Sequence, residues 1–90
     1  MTLYNINFKK SVYKDFKKIP VKKERKAILK AIENLAEQPR PVGVAKLKVT
    51  QADYWRIRIG VYRVIYEIDD NKKSILIFAI GHRKQIYRKT

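Results

Sequence analysis

Four arginines, Arg56, Arg58, Arg63 and Arg83, are the side chains of this sequence best suited to act on a charged group. A guanidinium presents a planar fork that matches a phosphate and stays ionised at neutral pH. Several converging on one point would stabilise charge developing on a phosphate during transfer. Arg56 and Arg58 alternate with Trp55, Ile57 and Ile59, so they share one face of a strand whose other face is apolar. If the segments flanking Gly60 pair as a hairpin, Arg58 and Arg63 become neighbours, and Arg83 joins them if the final strand pairs alongside. Tyr87 adds a flat ring able to stack on a base. Arginines on the exposed face of a strand are ordinarily just solvated, so spacing alone supports a nucleic-acid-binding module and no chemistry beyond that.

Other chemistries find little material. The chain has no cysteine, which excludes a disulfide framework, a thiol nucleophile and cysteine-ligated zinc. His82 is the only histidine, so a multi-histidine metal site is excluded and one possible acid or base remains beside Gly81 and Arg83. Asp69 and Asp70 fall in a turn-forming stretch and do not read as a catalytic dyad. Ser11 and Ser74 have no acid–base partner nearby in sequence, and the three glycines build no phosphate loop. No metal and no cofactor are expected.

The elements that must position the arginines read as α+β. Tyr4, Ile6 and Phe8 alternate with Asn5 and Asn7 as a first strand. From Lys9 the period changes: Val12, Phe16 and Ile19 make one helical stripe, ended by Pro20. Val21, Ile28, Ile32 and Leu35, with Ala31, make a second and longer one. The segment Gln38-Pro39-Arg40-Pro41-Val42-Gly43 cannot continue a helix. Strands then follow: Tyr54 to Ile59, a turn or bulge at Gly60, Val61 to Ile68, a turn at Asp69-Asp70-Asn71-Lys72, and the apolar run Ile75 to Ile80, which belongs mid-sheet. The expectation is a helical hairpin packed on an antiparallel sheet of about four strands, in a single domain over 1–90. Val12, Phe16, Ile28, Ile32 and Leu35 should meet Ile57, Val64 and the last strand.

With 46% hydrophobic residues the chain carries enough apolar material to fold. Its charge of +14, from 22 Lys+Arg against 8 Asp+Glu, exceeds what solubility requires and implies an anionic partner. The basic residues are divided evenly between the two halves, so the charge is a property of the folded surface and not of a tail. No stretch reads as a signal peptide or membrane span, which makes a cytoplasmic protein with no membrane partner the expectation.

The segments Lys46-Leu47, Tyr54-Trp55-Arg56-Ile57-Arg58-Ile59-Gly60-Val61-Tyr62-Arg63-Val64-Ile65-Tyr66 and Gly81-His82-Arg83 with Tyr87 carry a resemblance to the RelE/ParE superfamily of toxins from toxin–antitoxin modules. It covers nearly the whole chain and includes the order of elements. RelE-like members cut messenger RNA on the ribosome, whereas ParE-like members use the same fold to inhibit DNA gyrase. Basic residues at the positions of Arg56 and Arg58, arginines at Arg63 and Arg83 and a tyrosine at Tyr87 all match the RelE pattern, which favours the ribonuclease branch. The alternatives are a gyrase inhibitor and a non-catalytic RNA-binding module. The resemblance implies Arg58, Arg63, Arg83 and Tyr87 as catalytic residues and Lys46, Lys48, Arg56 and His82 as RNA contacts. Messenger RNA, the ribosome and a cognate antitoxin, acidic or partly disordered, are the partners it implies.

The sequence departs from that pattern where the best-known members carry lysines and this chain carries Arg56 and Arg58. The second of those lysines is thought to be the base, and arginine, with a pKa above ~12, is a poor one. Arg58 is then left to stabilise charge, with His82, Tyr87 or an RNA group to take the proton. The charge also makes a prediction of its own. Affinity for RNA or ribosomes should fall with salt with a log–log slope of about 0.7 to 0.9 per phosphate neutralised. A filter-binding series across salt concentrations measures this slope, and a flat response would exclude a polyanion partner.

Overall fold

A computed structural model describes residues 3–47 and 54–83. The chain runs β1 (Asn5–Phe8), α1 (Lys10–Lys17), α2 (Lys22–Asn34), β2 (Ala45–Leu47), β3 (Tyr54–Ile59), β4 (Tyr62–Asp69) and β5 (Ser74–His82). The five strands form one sheet in the order β1-β5-β4-β3-β2. One face is covered by the two helices, α1 lying against β5 and α2 against β3.

The helical stripes bury as their spacing requires. Val12, Ile19, Ile28, Ile32 and Leu35 form one core with Ile57, Val64, Tyr66, Ile75, Ile77 and Ile80, and Phe16 packs at its margin. Each such side chain contributes about 1.5–3 kcal/mol by leaving water. Val21 departs from the expected stripe and is 47% exposed. It stands at the N-cap of α2 with an extended backbone after Pro20, a position that swings it out of the helical layer. The turn between the helices is fixed by Arg25, whose Nη1 donates to the Ile19 carbonyl at 2.6 Å.

The sheet is antiparallel as expected except at its β1 edge. β1 pairs parallel to β5, with Ile6 opposite Ile75 and Phe8 opposite Ile77, while β2–β3, β3–β4 and β4–β5 are antiparallel. A parallel neighbour needs a long crossover, and the helical hairpin and intervening strands supply it. β2, not anticipated as a strand, adds a short edge against Tyr54–Arg56. β5 is second in the order, flanked by β1 and β4, which explains its nearly unbroken apolar sequence.

Two local features set the phase of the strands. Gly60 and Val61 connect β3 to β4, with Ile59 opposite Tyr62, and Gly60 has φ +62° while Val61 has no positive φ. This is the pattern of a II′-type hairpin turn, which places glycine at the first loop position. On β4–β5 the register skips: Ile65 is opposite Ala79, but Tyr66 is opposite Ile77. Phe78 is therefore the extra residue of a β-bulge. Ile75 and Ile77 belong to the core under the helices, Phe78 and Ala79 pack together with Ile65 on the far side, and Ile80 returns to the core. The bulge inverts the alternation of β5 for everything that follows it.

The Pro-containing loop is tied to the sheet by polar contacts. The buried Tyr66 hydroxyl donates to the Pro39 carbonyl at 2.7 Å, and burial pushes that phenol well above its ordinary pKa. Arg40 forms an ion pair with Asp70 at 2.8 Å and lies over the Trp55 ring at 4.9 Å, while the Tyr4 hydroxyl donates to Asp70 at 2.6 Å. Asp70 thus joins the N-terminus, the loop and the β4–β5 turn. Hydrogen bonds from Arg40 first and Tyr4 second hold its carboxyl at about 2. A carboxylate depressed in the folded state stabilises fully above its unfolded pKa, near ~4, and this contribution is lost as pH falls through about 2. The melting temperatures of wild type and Asp70→Asn should therefore differ at pH 6 and converge as pH falls toward 2. A difference constant across that range would remove the ion pair from the account.

Candidate nucleic-acid interface

The alternation of β3 and β4 sorts their side chains by face. Trp55, Ile57, Ile59, Tyr62, Val64, Tyr66 and Ile68 join the core under the helices. The intervening residues, Tyr54, Arg56, Arg58, Arg63 and Ile65, necessarily stand on the far face. There Arg58 is directly opposite Arg63, and Arg56 opposite Ile65. Cβ atoms of opposite residues lie about 4.5–5.5 Å apart, so two guanidinium groups start from adjacent roots.

Arg83 arrives from β5. Gly81 is opposite Arg63 and His82 opposite Tyr62. The Arg83 N–H then donates to the Val61 carbonyl at 2.9 Å, which carries the pairing one residue past the strand. By this register Arg83 shares the far face with Arg63 and sits diagonal to it. Gly81 places no side chain opposite Arg63. The far face thus collects Arg56, Arg58, Arg63 and Arg83, the four arginines singled out by sequence.

His82 and Lys46 lie on the other side. His82 meets the Tyr62 ring edge-on at 6.1 Å between centroids, and Lys46 is opposite Trp55 with its Nζ 5.7 Å from that ring. Neither shares the arginine face. Lys48 and Tyr87 lie outside the described residues.

Arg63 is the unusual member. It is 9% exposed, its Nη1 reaches the Gly60 and Tyr62 carbonyls only at 3.4 and 3.3 Å, and its Nε has no hydrogen-bond partner. Among the described residues no carboxylate pairs with it. A buried charge with donors unmet is costly to the fold, whereas lysines at the surface are not. Further along the same face lies an apolar patch, with Ile65 and Ala79 buried and Leu47, Tyr54 and Phe78 packed on them; the Tyr54 and Phe78 rings are 4.9 Å apart.

The sheet edge also carries a concavity that no motif of the sequence signals. β2 covers only Tyr54–Arg56, so among the described residues 57–59 form a bare strand edge. A cavity of about 750 Å³ opens there between Ala31 and Asn34 of α2, Val42 of the loop, and Arg56 and Arg58. Arg63 and Arg83 do not line it, so a phosphate held by all four arginines does not sit in it.

The cost of Arg63 has a measurable consequence. Arg63→Met keeps the side-chain volume and removes the unpaired charge, and should raise stability by about 1 kcal/mol, or roughly 4–8 °C in melting temperature for a domain of this size. Thermal unfolding at neutral pH measures this. A large fall would make Arg63 a structural residue.

Comparison with known proteins agrees with this geometry. Residues 6–87 match the family model of the ParE toxin of the type II toxin–antitoxin system parDE. The chain is 30% identical over 86 residues to Toxin RelG of Mycobacterium tuberculosis, covering 96% of this chain and 98% of that one. Among solved structures it is similar to the archaeal RelE–RelB complex of Pyrococcus horikoshii, at 33% identity and TM-score 0.78 over 92% of this chain and 97% of that chain. It is also similar to the RelBE2 toxin–antitoxin complex of M. tuberculosis, at 26% identity and TM-score 0.79 over 92% and 94%. From strand alternation, the helical layer and these matches together, the chain belongs to the RelE/ParE superfamily of type II toxin–antitoxin toxins, on its RelE-like side.

Proposed function

We propose that this toxin is an endoribonuclease that cuts messenger RNA on the ribosome. The observation that carries the reading is Arg63, a buried guanidinium with no counter-charge among the described residues, sharing its face with Arg58, Arg83 and Arg56. RNA supplies its own nucleophile, so the reaction requires only positioning, charge stabilisation and proton transfer. The 2′-oxygen attacks the adjacent phosphorus, the bond to the 5′-oxygen breaks, and the products are a 2′,3′-cyclic phosphate and a 5′-hydroxyl. Arg63 and Arg56 hold the phosphate oxygens, Arg58 stabilises the charge that builds on them, and Arg83 stabilises the leaving 5′-oxygen, which takes its proton from water. Tyr87 orients the nucleotide. Arginine does not accept the 2′ proton at neutral pH, so that proton goes to a group outside the cluster. His82, turned toward the helices, is poorly placed to receive it.

The solved relatives are complexes of RelE with RelB, which supports a cognate antitoxin as the protein partner here. An acidic, partly disordered segment suits a surface of this charge. Among the described residues no helix is long and apolar enough to cross a membrane.

A second reading, inhibition of DNA gyrase, is favoured by the ParE description of the matching family. Incubation with translating ribosomes and, separately, with gyrase distinguishes the two: cut message supports the nuclease, lost supercoiling the inhibitor, and neither a binding module. If the nuclease reading holds, Arg63→Ala or Arg83→Ala should lower cleavage roughly 100-fold or more with ribosome binding nearly unchanged. Binding lost in proportion to activity would reduce both arginines to anchors.

A further inference from the structure

Asp15 is the one acidic side chain buried among the described residues, 5% exposed on a helix otherwise rich in lysine. Its Oδ2 accepts a hydrogen bond from the Ile80 N–H at 3.2 Å, across 65 positions of sequence. The location of that N–H matters. β1 ends at Phe8, opposite Ile77, and the Lys9 N–H donates to the Ile77 carbonyl at 3.0 Å. Beyond this point β5 loses its parallel neighbour, immediately where Phe78 forms the bulge against β4. The Asp15 carboxylate takes the place of the missing strand for the N–H two residues past the bulge. Buried backbone donors demand such a partner.

The bulge decides where Arg83 goes. Without it, alternation from Ile75 and Ile77 would continue through residues 79, 81 and 83, and Arg83 would face the helices. With it, Ile80 and His82 take the helix side, and Gly81 and Arg83 the side of Arg58 and Arg63. We propose that Asp15 is a positioning residue of the arginine face: its bond to Ile80 holds the bulged end of β5 in the phase that sets Arg83 beside Arg63. The inference rests on the reading that this face acts on phosphate, but its structural half can be tested apart from any cleavage.

The test uses isotope-labelled full-length protein. In the wild type, a scalar coupling between the Ile80 amide nitrogen and the Asp15 carboxyl carbon should be observed across the hydrogen bond. Titration with inorganic phosphate should shift the Arg63 and Arg83 Nε–Hε signals together. In Asp15→Leu the Ile80 amide should exchange faster, and Arg83 should cease to respond with Arg63. Asp15→Asn, which keeps an oxygen acceptor, should restore both. In the ribosome assay Asp15→Leu should lower kcat about 10- to 100-fold with little change in KM, again restored by Asn. Absence of the coupling, absence of a joint phosphate response in the wild type, or a joint response surviving in Asp15→Leu would each overturn the inference. If Asp15→Leu does not fold, the wild-type coupling and joint response decide it alone. A wild type that shows both and cuts no message would refute the nuclease reading while leaving the role of Asp15 intact.

Discussion

Period-two alternation along β3 and β4 is the constraint on which the rest of the molecule depends. Trp55, Ile57, Ile59, Val64 and Tyr66 are needed to bury the helical hairpin, so Arg56, Arg58 and Arg63 have no other face to occupy. The hydrophobic effect thereby does electrostatic work. It forces guanidinium groups onto one surface, and the short turn at Gly60 brings two of them into register as Arg58 and Arg63. Like charges directly opposite each other destabilise a sheet, so the hairpin is held together by the core beneath it despite what its far face carries.

Two kinds of positive charge are built into the protein, in different places. The lysines of α1 and α2, from Lys10 to Lys30, are exposed on the helical layer, where each is solvated and costs the fold little. The arginines of the strands stand together on the opposite face, and Arg63 is buried there. A spread of solvated lysines raises the potential that draws a polyanion to any side of the molecule. A desolvated guanidinium acts only at contact, on a group that fits its fork.

Much of the site was legible because alternation is a local signal: YWRIRI and YRVIYEI name their faces without knowledge of the fold, and Gly60 marks the turn between them. The long-range choices were not. Nothing in Asn5–Phe8 tells that it will lie parallel to β5, since both orientations bury Ile6 equally well. The run ILIFAI is apolar at every position, so it tolerates a bulge at Phe78 without leaving a polar residue stranded, and the resulting change of phase is silent in the sequence. Val21 was misleading because it keeps helical spacing to Ile28 while standing outside the helix. Asp15 did leave a trace. It lies three residues after Val12 and four before Ile19, on the apolar stripe itself, where a carboxylate is either an error of the pattern or the partner of a buried donor.

A fold shared by nucleases and gyrase inhibitors cannot by itself choose between them, so the choice has to be argued from the side chains. A protein that only presented a positive surface to another protein would gain nothing from an arginine held at 9% exposure with its Nε unmet, because a solvated lysine gives the same long-range field without the burial penalty. Groups that are costly in the resting protein are retained where they are satisfied at some other stage, and in the proposed reaction a dianionic phosphorane would supply Arg63 with a counter-charge. The substitution of arginine at the position of a familiar lysine base then has a definite meaning. On the nuclease reading proposed above, Arg58 would stabilise charge without transferring the proton, so cleavage would depend on a proton acceptor from outside the four arginines, and its pH dependence would belong to that group and not to the cluster.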